Sequence, residues 1–174
     1  MQQPNTLVSI ILSQLSLEPT DSSAFEQKFL RFALATQEAL LPLEEISEVL
    51  NVRHQEILPM PEMPSCVLGI YNWRGKNLWL IDIGHLVDYP PLSGNEPAQL
   101  AVIVIQLERM CLGLVTSEVK DIELHNAQSL QTAETYLYPP RLLTFVKGYL
   151  PSAESLVLDI EAIARFPLWQ VHRS

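Results

Sequence analysis

The sequence predicts an all-β protein, on three observations about the distribution of apolar residues. Apolar runs typical of strands recur along the chain, about five on each side of a Pro-, Gly- and Asn-rich linker at residues 89–98. Turn signals separate these runs at regular intervals, and no stretch carries a long helical repeat. The 174 residues suit one domain, or two small ones that share a core. The pattern favours a β-sandwich or a pair of small barrels, with a few short helices.

Residues 1–24 differ in composition from the rest of the chain and predict an N-terminal extension and linker. The apolar residues of Thr6–Leu17 fit one face of a short amphipathic helix, and Glu18–Ser23 has the composition of a linker. Such a helix packs on its own domain or on a partner. A membrane surface is disfavoured, because the segment has no Lys or Arg to meet acidic lipid.

The first half of the remaining chain is predicted to be mainly strand. Residues 28–34 (KFLRFAL) predict the first strand, and residues 39–43 its return. Residues 42–50 (PLEEISEVL) predict a short helix, because their apolar residues share one helical face, and residues 52–58 predict an extended segment. The proline-rich connector LPMPEMP leads to two apolar runs joined by a turn, CVLGIYNW and KNLWLIDI. One helical turn is predicted at Ile83–Val87.

The second half, after the linker, is again predicted to be mainly strand. A hairpin is predicted from AVIVIQL and MCLGLVTSEV, which flank Glu108 and Arg109, and KDIEL predicts a short strand after it. Residues 125–141 are polar and interrupted by proline, which predicts a long loop. TFVKGYL and SLVLDI predict a further strand pair, and Ile160–Arg165 a closing helix.

Composition and charge exclude several classes of protein. The formal net charge of −9 argues against nucleic acid, because a phosphate backbone is bound chiefly through Lys and Arg. The six glycines never form G-x-G, so dinucleotide-binding and kinase-type loops are excluded. Neither a membrane span nor a secretory signal is predicted, because the apolar runs are short and no basic region precedes the first. The isolated Cys66 and Cys111 suit a reducing cytoplasm and leave a disulfide between them open.

Motifs for catalysis or metal binding are absent from the sequence. The four histidines lie in separate segments, and the cysteine spacing fits no zinc site. No serine lies in a nucleophile elbow, and the adjacent Glu44 and Glu45 point to different faces of a helix or strand. The sequence therefore predicts no catalytic residue, no metal and no cofactor.

The stretch Pro64–Ile83 is the most informative part of the chain. Arg74 lies between an apolar strand and Gly75, which permits a tight turn, and Trp73 and Trp79 lie close by. Arg together with Trp is the combination that interface hot spots favour. The alternative is a structural Arg at a strand end with Trp79 in the core, and spacing alone does not separate the two interpretations.

Within this stretch, VLGIYNWRGKNLWLID resembles the central motif of the CheW family of chemotaxis coupling proteins. The matching motif positions are Gly69, Asn72, Arg74, Gly75 and Asp82. The resemblance continues in order through KFLRFAL, EISEV, AVIVIQLERMCLGLVTSEVKDI, FVKGYL and SLVLDIEAI. Five segments in register identify the chain as a member of this family over about residues 25–165.

The resemblance implies a fold of two five-stranded SH3-like barrels that share a core. The implied boundaries are 25–165 for the CheW-like domain, about 36–88 for the first barrel and about 99–150 for the second, with 25–35 and 151–165 completing the barrels and 166–174 forming a C-terminal tail.

The resemblance also implies a non-enzymatic adaptor, which couples methyl-accepting chemoreceptors to a CheA-type histidine kinase. One surface would bind the regulatory domain of the kinase and another the cytoplasmic tip of the receptor, which recruits a cytoplasmic protein to membrane-associated arrays without inserting it into the membrane. The implied kinase-facing surface lies on the first barrel, near Val52–Leu58 and Val67–Asn72.

On the receptor side, Glu48 and Arg74 match a family ion pair, and Ile46 and Gly69 match positions that line the same surface. The implied partner-binding residues are Ile46, Glu48, Gly69, Asn72, Arg74 and Gly75.

Two departures from the family pattern keep an alternative function open. Trp79 stands where the family often has a proline, and Ser117-Glu118 replaces a common Asp-Gly. The second departure and the N-terminal extension fit a CheW-like interaction module that serves a signalling partner outside chemotaxis. An enzyme on a β scaffold would need a pocket with convergent titratable groups, which the sequence does not offer.

Overall fold

The structure is a computed structural model that describes residues 24–92 and 98–166. In these residues the strands are β1 (Glu26–Leu34), β2 (Gln37–Pro42), β3 (Glu48–Arg53), β4 (Val67–Trp73), β5 (Lys76–Asp82), β6 (Gln99–Leu107), β7 (Met110–Thr116), β8 (Val119–Asn126), β9 (Val146–Leu150) and β10 (Ser155–Leu158). The helices there are α1 (Ile83–Leu86), α2 (Pro140–Leu143) and α3 (Ile160–Ala164). The helix predicted within residues 1–24 and the tail from residue 167 lie outside the described residues.

The strands form two five-stranded sheets with the same arrangement. One has the order β8-β1-β2-β10-β9 and is called the terminal subdomain; the other has the order β3-β6-β7-β5-β4 and is called the central subdomain. In each sheet the third and fourth strands are parallel, and every other neighbouring pair is antiparallel. The all-β prediction is confirmed, in the form of two SH3-like subdomains.

The predicted division of the chain at residues 89–98 was wrong. The β6–β7 hairpin pairs with β3 and β5, so the linker joins two strands of the central sheet. The central subdomain is therefore one continuous segment, and the terminal subdomain is built from the chain before it and after it. Turn residues determine which strands form hairpins, but they do not determine which distant strand each hairpin pairs with. The composition of the linker therefore marked a boundary between subdomains where the chain has none.

Two local predictions also failed. The segment predicted as extended at residues 52–58 is interrupted by a 3₁₀ turn at His54–Glu56. The residues predicted as a helix over 42–50 form a 3₁₀ turn at Leu43–Glu45 and then strand β3. In β3, Val49 packs in the core between the sheets while Leu50 and Val52 pack inside the central subdomain. A strand buried on both faces has consecutive apolar residues, which imitate a helical face. The predicted hairpins β4–β5, β6–β7 and β9–β10 and the helices α1 and α3 are confirmed.

The largest apolar cluster lies between the two sheets and belongs to both. It includes Leu30 and Phe32 from β1, Ile81 from β5, Ile103 from β6 and Phe145 before β9, all of them buried. Burial of one such side chain contributes about 2 kcal/mol. Because each subdomain covers the inner face of the other, the described residues form a single folding unit.

The two subdomains differ in their interiors. The central one is filled by apolar residues that include Leu50, Val52 and Val104. The pairing registers place Glu123, His125 and Arg31 of the terminal subdomain at the equivalent positions. There the Arg31 guanidinium donates two hydrogen bonds to the Glu123 carboxylate, which also lies 2.7 Å from Nε2 of His125.

Both cysteines are free, Cys66 buried and Cys111 partly buried. Burial raises the pKa of the Cys66 thiol.

Candidate partner-binding site

The turn between β4 and β5 carries three of the predicted site residues. Arg74 and Gly75 both have left-handed backbone conformations, with φ of 51° and 77°, as a two-residue hairpin turn with right-handed strand twist requires. The side chain of Asn72 stabilises this turn, because its Oδ1 accepts a hydrogen bond from the Gly75 N–H at 3.0 Å. The turn holds Arg74 at the end of the hairpin, where 70% of its side chain is exposed.

Glu48 is the acidic partner of Arg74. It is the first residue of β3, and its Oε2 lies 3.1 Å from an Arg74 guanidinium nitrogen. The same oxygen accepts a hydrogen bond of 2.8 Å from the indole N–H of Trp73. Because β3 and β4 are the two edge strands of the central sheet, these contacts join its edges. The Glu48 side chain is only 12% exposed, so it is held more firmly than a surface carboxylate.

Trp73 connects the exposed turn to the interior of the central subdomain. Its side chain is buried among Leu50, Val52 and Leu78. The Arg74 guanidinium lies 5.3 Å from the Trp73 ring centroid, within the range of a cation–π contact. The ring therefore anchors the ion pair from below, while Trp79 on the same hairpin packs against the core between the sheets.

Gly69 lies further along β4, where the backbone needs glycine. Its φ is 141°, and a Cβ at this position would lie 2.2 Å from the carbonyl oxygen of Leu58. This close approach lets Leu58 and Ile70 exchange backbone hydrogen bonds of 2.8 and 2.9 Å. Ile46, two residues before Glu48, is partly buried and packs against the core between the sheets. The structure thus brings Glu48, Asn72, Arg74 and Gly75 together, and the lining role of Ile46 and Gly69 stays a prediction.

Two exposed apolar residues lie on the connector between β3 and β4, which pairs with β4 at Leu58 and Ile70. Leu58 is 64% exposed and Met60 is 38% exposed. Tyr71 of β4 is partly buried nearby; burial and the carboxylates of Glu56 and Glu48 raise its pKa. The alternation of proline with Leu and Met at residues 58–64 indicates an extended connector, but it gives no signal that Leu58 and Met60 are exposed.

Over residues 24–92 and 98–166, no three His, Cys, Asp or Glu side chains gather in a way that would hold a metal ion. None of the helices in that part of the chain is long and apolar enough to cross a bilayer. The chemistry that the Glu48–Arg74 site offers is charge and hydrogen-bond recognition on a turn of fixed conformation.

Comparisons with known proteins agree with one another. The family described as the CheW-like domain matches residues 28–166. A probable chemotaxis protein CheW from Rhizobium etli is 26% identical over 142 residues, which covers 81% of this chain and 88% of that protein. The crystal structure of the scaffolding protein TtCheW from Thermoanaerobacter tengcongensis is similar in fold, with a TM-score of 0.65 and 19% identity over 82% of this chain and 89% of that one. The chain therefore belongs to the CheW-like domain family, the family of chemotaxis coupling proteins.

Proposed function

We propose that this protein is a non-enzymatic adaptor that couples methyl-accepting chemoreceptors to a CheA-type histidine kinase. Membership of the CheW-like domain family over four fifths of the chain supports this role, and so does the name of the Rhizobium etli relative. The single observation that carries it is the Glu48–Arg74 pair, which presents a fixed cation at the end of a hairpin in a chain of net charge −9.

The receptor tip binds at the β4–β5 turn. A surface ion pair contributes only about 0–1 kcal/mol to stability, so the charge interaction of Glu48 with Arg74 does little to stabilise the fold. The 70% exposure of Arg74 leaves guanidinium donors free for a carboxylate or backbone carbonyl of the receptor. Glu48 and Trp73 restrict the orientation of that guanidinium, which favours specificity over raw affinity.

The kinase regulatory domain binds at the surface formed by the connector and β4. Exposed Leu58 and Met60 give this surface the apolar character of a protein contact, and the pairing of Leu58 with Ile70 of β4 holds the connector in place. The two partners would then meet the same subdomain on adjacent surfaces. Both reach the protein in the cytoplasm, at membrane-associated receptor arrays.

Two binding assays with the full-length protein test this function. Arg74→Ala should weaken capture of a soluble receptor cytoplasmic hairpin by about tenfold or more, as hot-spot arginines do, while the thermal midpoint changes little. Leu58→Ser should weaken binding to the kinase regulatory domain and leave receptor binding intact. Lys76→Ala, on the same turn, is the matched control for charge and should bind both partners normally. Failure of the wild-type protein to bind either partner from its own genome would refute the proposal.

A further inference from the structure

Glu48 makes two contacts through one oxygen, and only one of them is the ion pair. Its Oε2 accepts the Trp73 indole N–H at 2.8 Å and lies 3.1 Å from the Arg74 guanidinium. A carboxylate oxygen has two lone-pair sites, so both donors are accommodated at once. A hydrogen bond from a neutral donor to a carboxylate is stronger than one between neutral groups, and here the side chain that accepts it is only 12% exposed.

Trp73 also contacts Arg74 directly. Its ring is buried in the central subdomain, which fixes its position, and the guanidinium lies 5.3 Å from the ring centroid. Arg74 is thereby held from two directions, by a carboxylate at its end and by an indole face beneath it. Both contacts depend on Trp73, the first because the indole N–H fixes the carboxylate.

We infer that Trp73 is a positioning residue for receptor recognition, which sets the orientation of the Glu48–Arg74 pair without itself contacting the receptor. Its side chain is only 6% exposed, so it presents little surface to a partner. The expected effect on receptor binding rests on the proposed function, whereas the positioning of Arg74 by Trp73 concerns the free protein alone. A side chain without a ring N–H at this position could fill the interior but could not fix the carboxylate.

A double-mutant cycle tests the inference with the receptor hairpin. Trp73→Phe keeps a buried aromatic ring and removes the N–H donor, and it should weaken binding by about three- to tenfold, less than the loss of a charge-assisted hydrogen bond made directly to the partner. In the Arg74→Ala background the same change should have no further effect, because Trp73 acts through Arg74. Trp79→Phe on the same hairpin is the matched control and should bind normally. Additive losses, or unchanged binding by Trp73→Phe, would overturn the inference.

A measurement on the free protein separates this inference from the proposed function. The indole ¹⁵N–¹H resonance of Trp73 should shift when Glu48 is changed to Ala, and that of Trp79 should stay in place. In Trp73→Phe the Arg74 Nε–H group should exchange with water faster than in the wild type. If both signals respond but the receptor hairpin never binds, the proposed function fails and the positioning of Arg74 stands; if neither responds, the positioning role is refuted whatever binds.

Discussion

Replacing Arg31 and Glu123 of the terminal subdomain together, by the apolar residues at the equivalent positions of the central subdomain, should leave the free energy of unfolding nearly unchanged. Arg31 and Glu123 have side chains 15% and 24% exposed, and they occupy the positions of Val104 and Leu50 in the central subdomain. Removing one member of a fully buried pair costs about 3–5 kcal/mol, so a partly exposed pair should lose about 2 kcal/mol in Arg31→Val or in Glu123→Leu. When both charges are removed together, neither is left without the other, while Glu38 keeps its contact with Lys120 and His125 keeps its contact with Ser152. The double variant should therefore unfold within about 1 kcal/mol of the wild type.

Urea denaturation followed by circular dichroism at several pH values measures these differences. The hydrogen bond from Arg31 lowers the pKa of Glu123, so the pair stabilises the fold above the ordinary carboxylate range and loses this contribution as pH falls through the lowered value. Wild-type stability should therefore decline on acidification more than that of the double variant. If the double variant loses as much as the two single variants combined, the two side chains are not coupled and the reasoning is refuted.

Three further outcomes concern single residues. Gly69→Ala should destabilise the fold by about 3 kcal/mol, because its Cβ would overlap a backbone oxygen, whereas Gly75→Ala, with open space around it, should cost only about 1 kcal/mol; equal urea midpoints would contradict this. Asp82→Ala should cost about 2 kcal/mol, since the buried carboxylate caps α1 and holds the segment after it, and an unchanged midpoint would exclude that role. At pH 8 a maleimide should modify Cys111 at least about tenfold faster than Cys66, whose pKa is raised by burial; equal rates would show that Cys66 is accessible.

The part of the fold that the sequence predicts is the part that local chemistry encodes. The β4–β5 hairpin depends on Arg74 and Gly75 in left-handed conformations, and α1 is capped by Asp82, whose side chain accepts a hydrogen bond from the third helical N–H. Strand β3 has the apolar spacing of a helix because its two faces pack into different clusters. No local feature of the sequence distinguishes such a strand from an amphipathic helical turn.

Four of the six residues implied as partner-binding, Glu48, Asn72, Arg74 and Gly75, lie together in the structure, and their binding role stays a prediction. Family resemblance pairs Glu48 with Arg74, and the structure has them 3.1 Å apart. The sequence identifies Trp73 only as the residue that precedes Arg74. Its hydrogen bond to Glu48 depends on the meeting of the two edge strands of a five-stranded sheet, which is fixed by the pairing of all five strands.

The insertion of the central subdomain into the terminal one has a consequence for an adaptor. One continuous segment contains both proposed surfaces: it includes Glu48 and Arg74 on the receptor side, Leu58 and Met60 on the kinase side, and the buried Trp73. The chain enters and leaves this segment at β2–β3 and β7–β8, and the apolar cluster between the sheets holds it on both sides. A surface set within one sheet keeps the distance between two partners fixed, whereas surfaces divided between subdomains would change separation with any hinge motion. Arg31 and Glu123 lie in the other subdomain, so Arg31→Val or Glu123→Leu alone should lower stability and leave both binding activities unchanged.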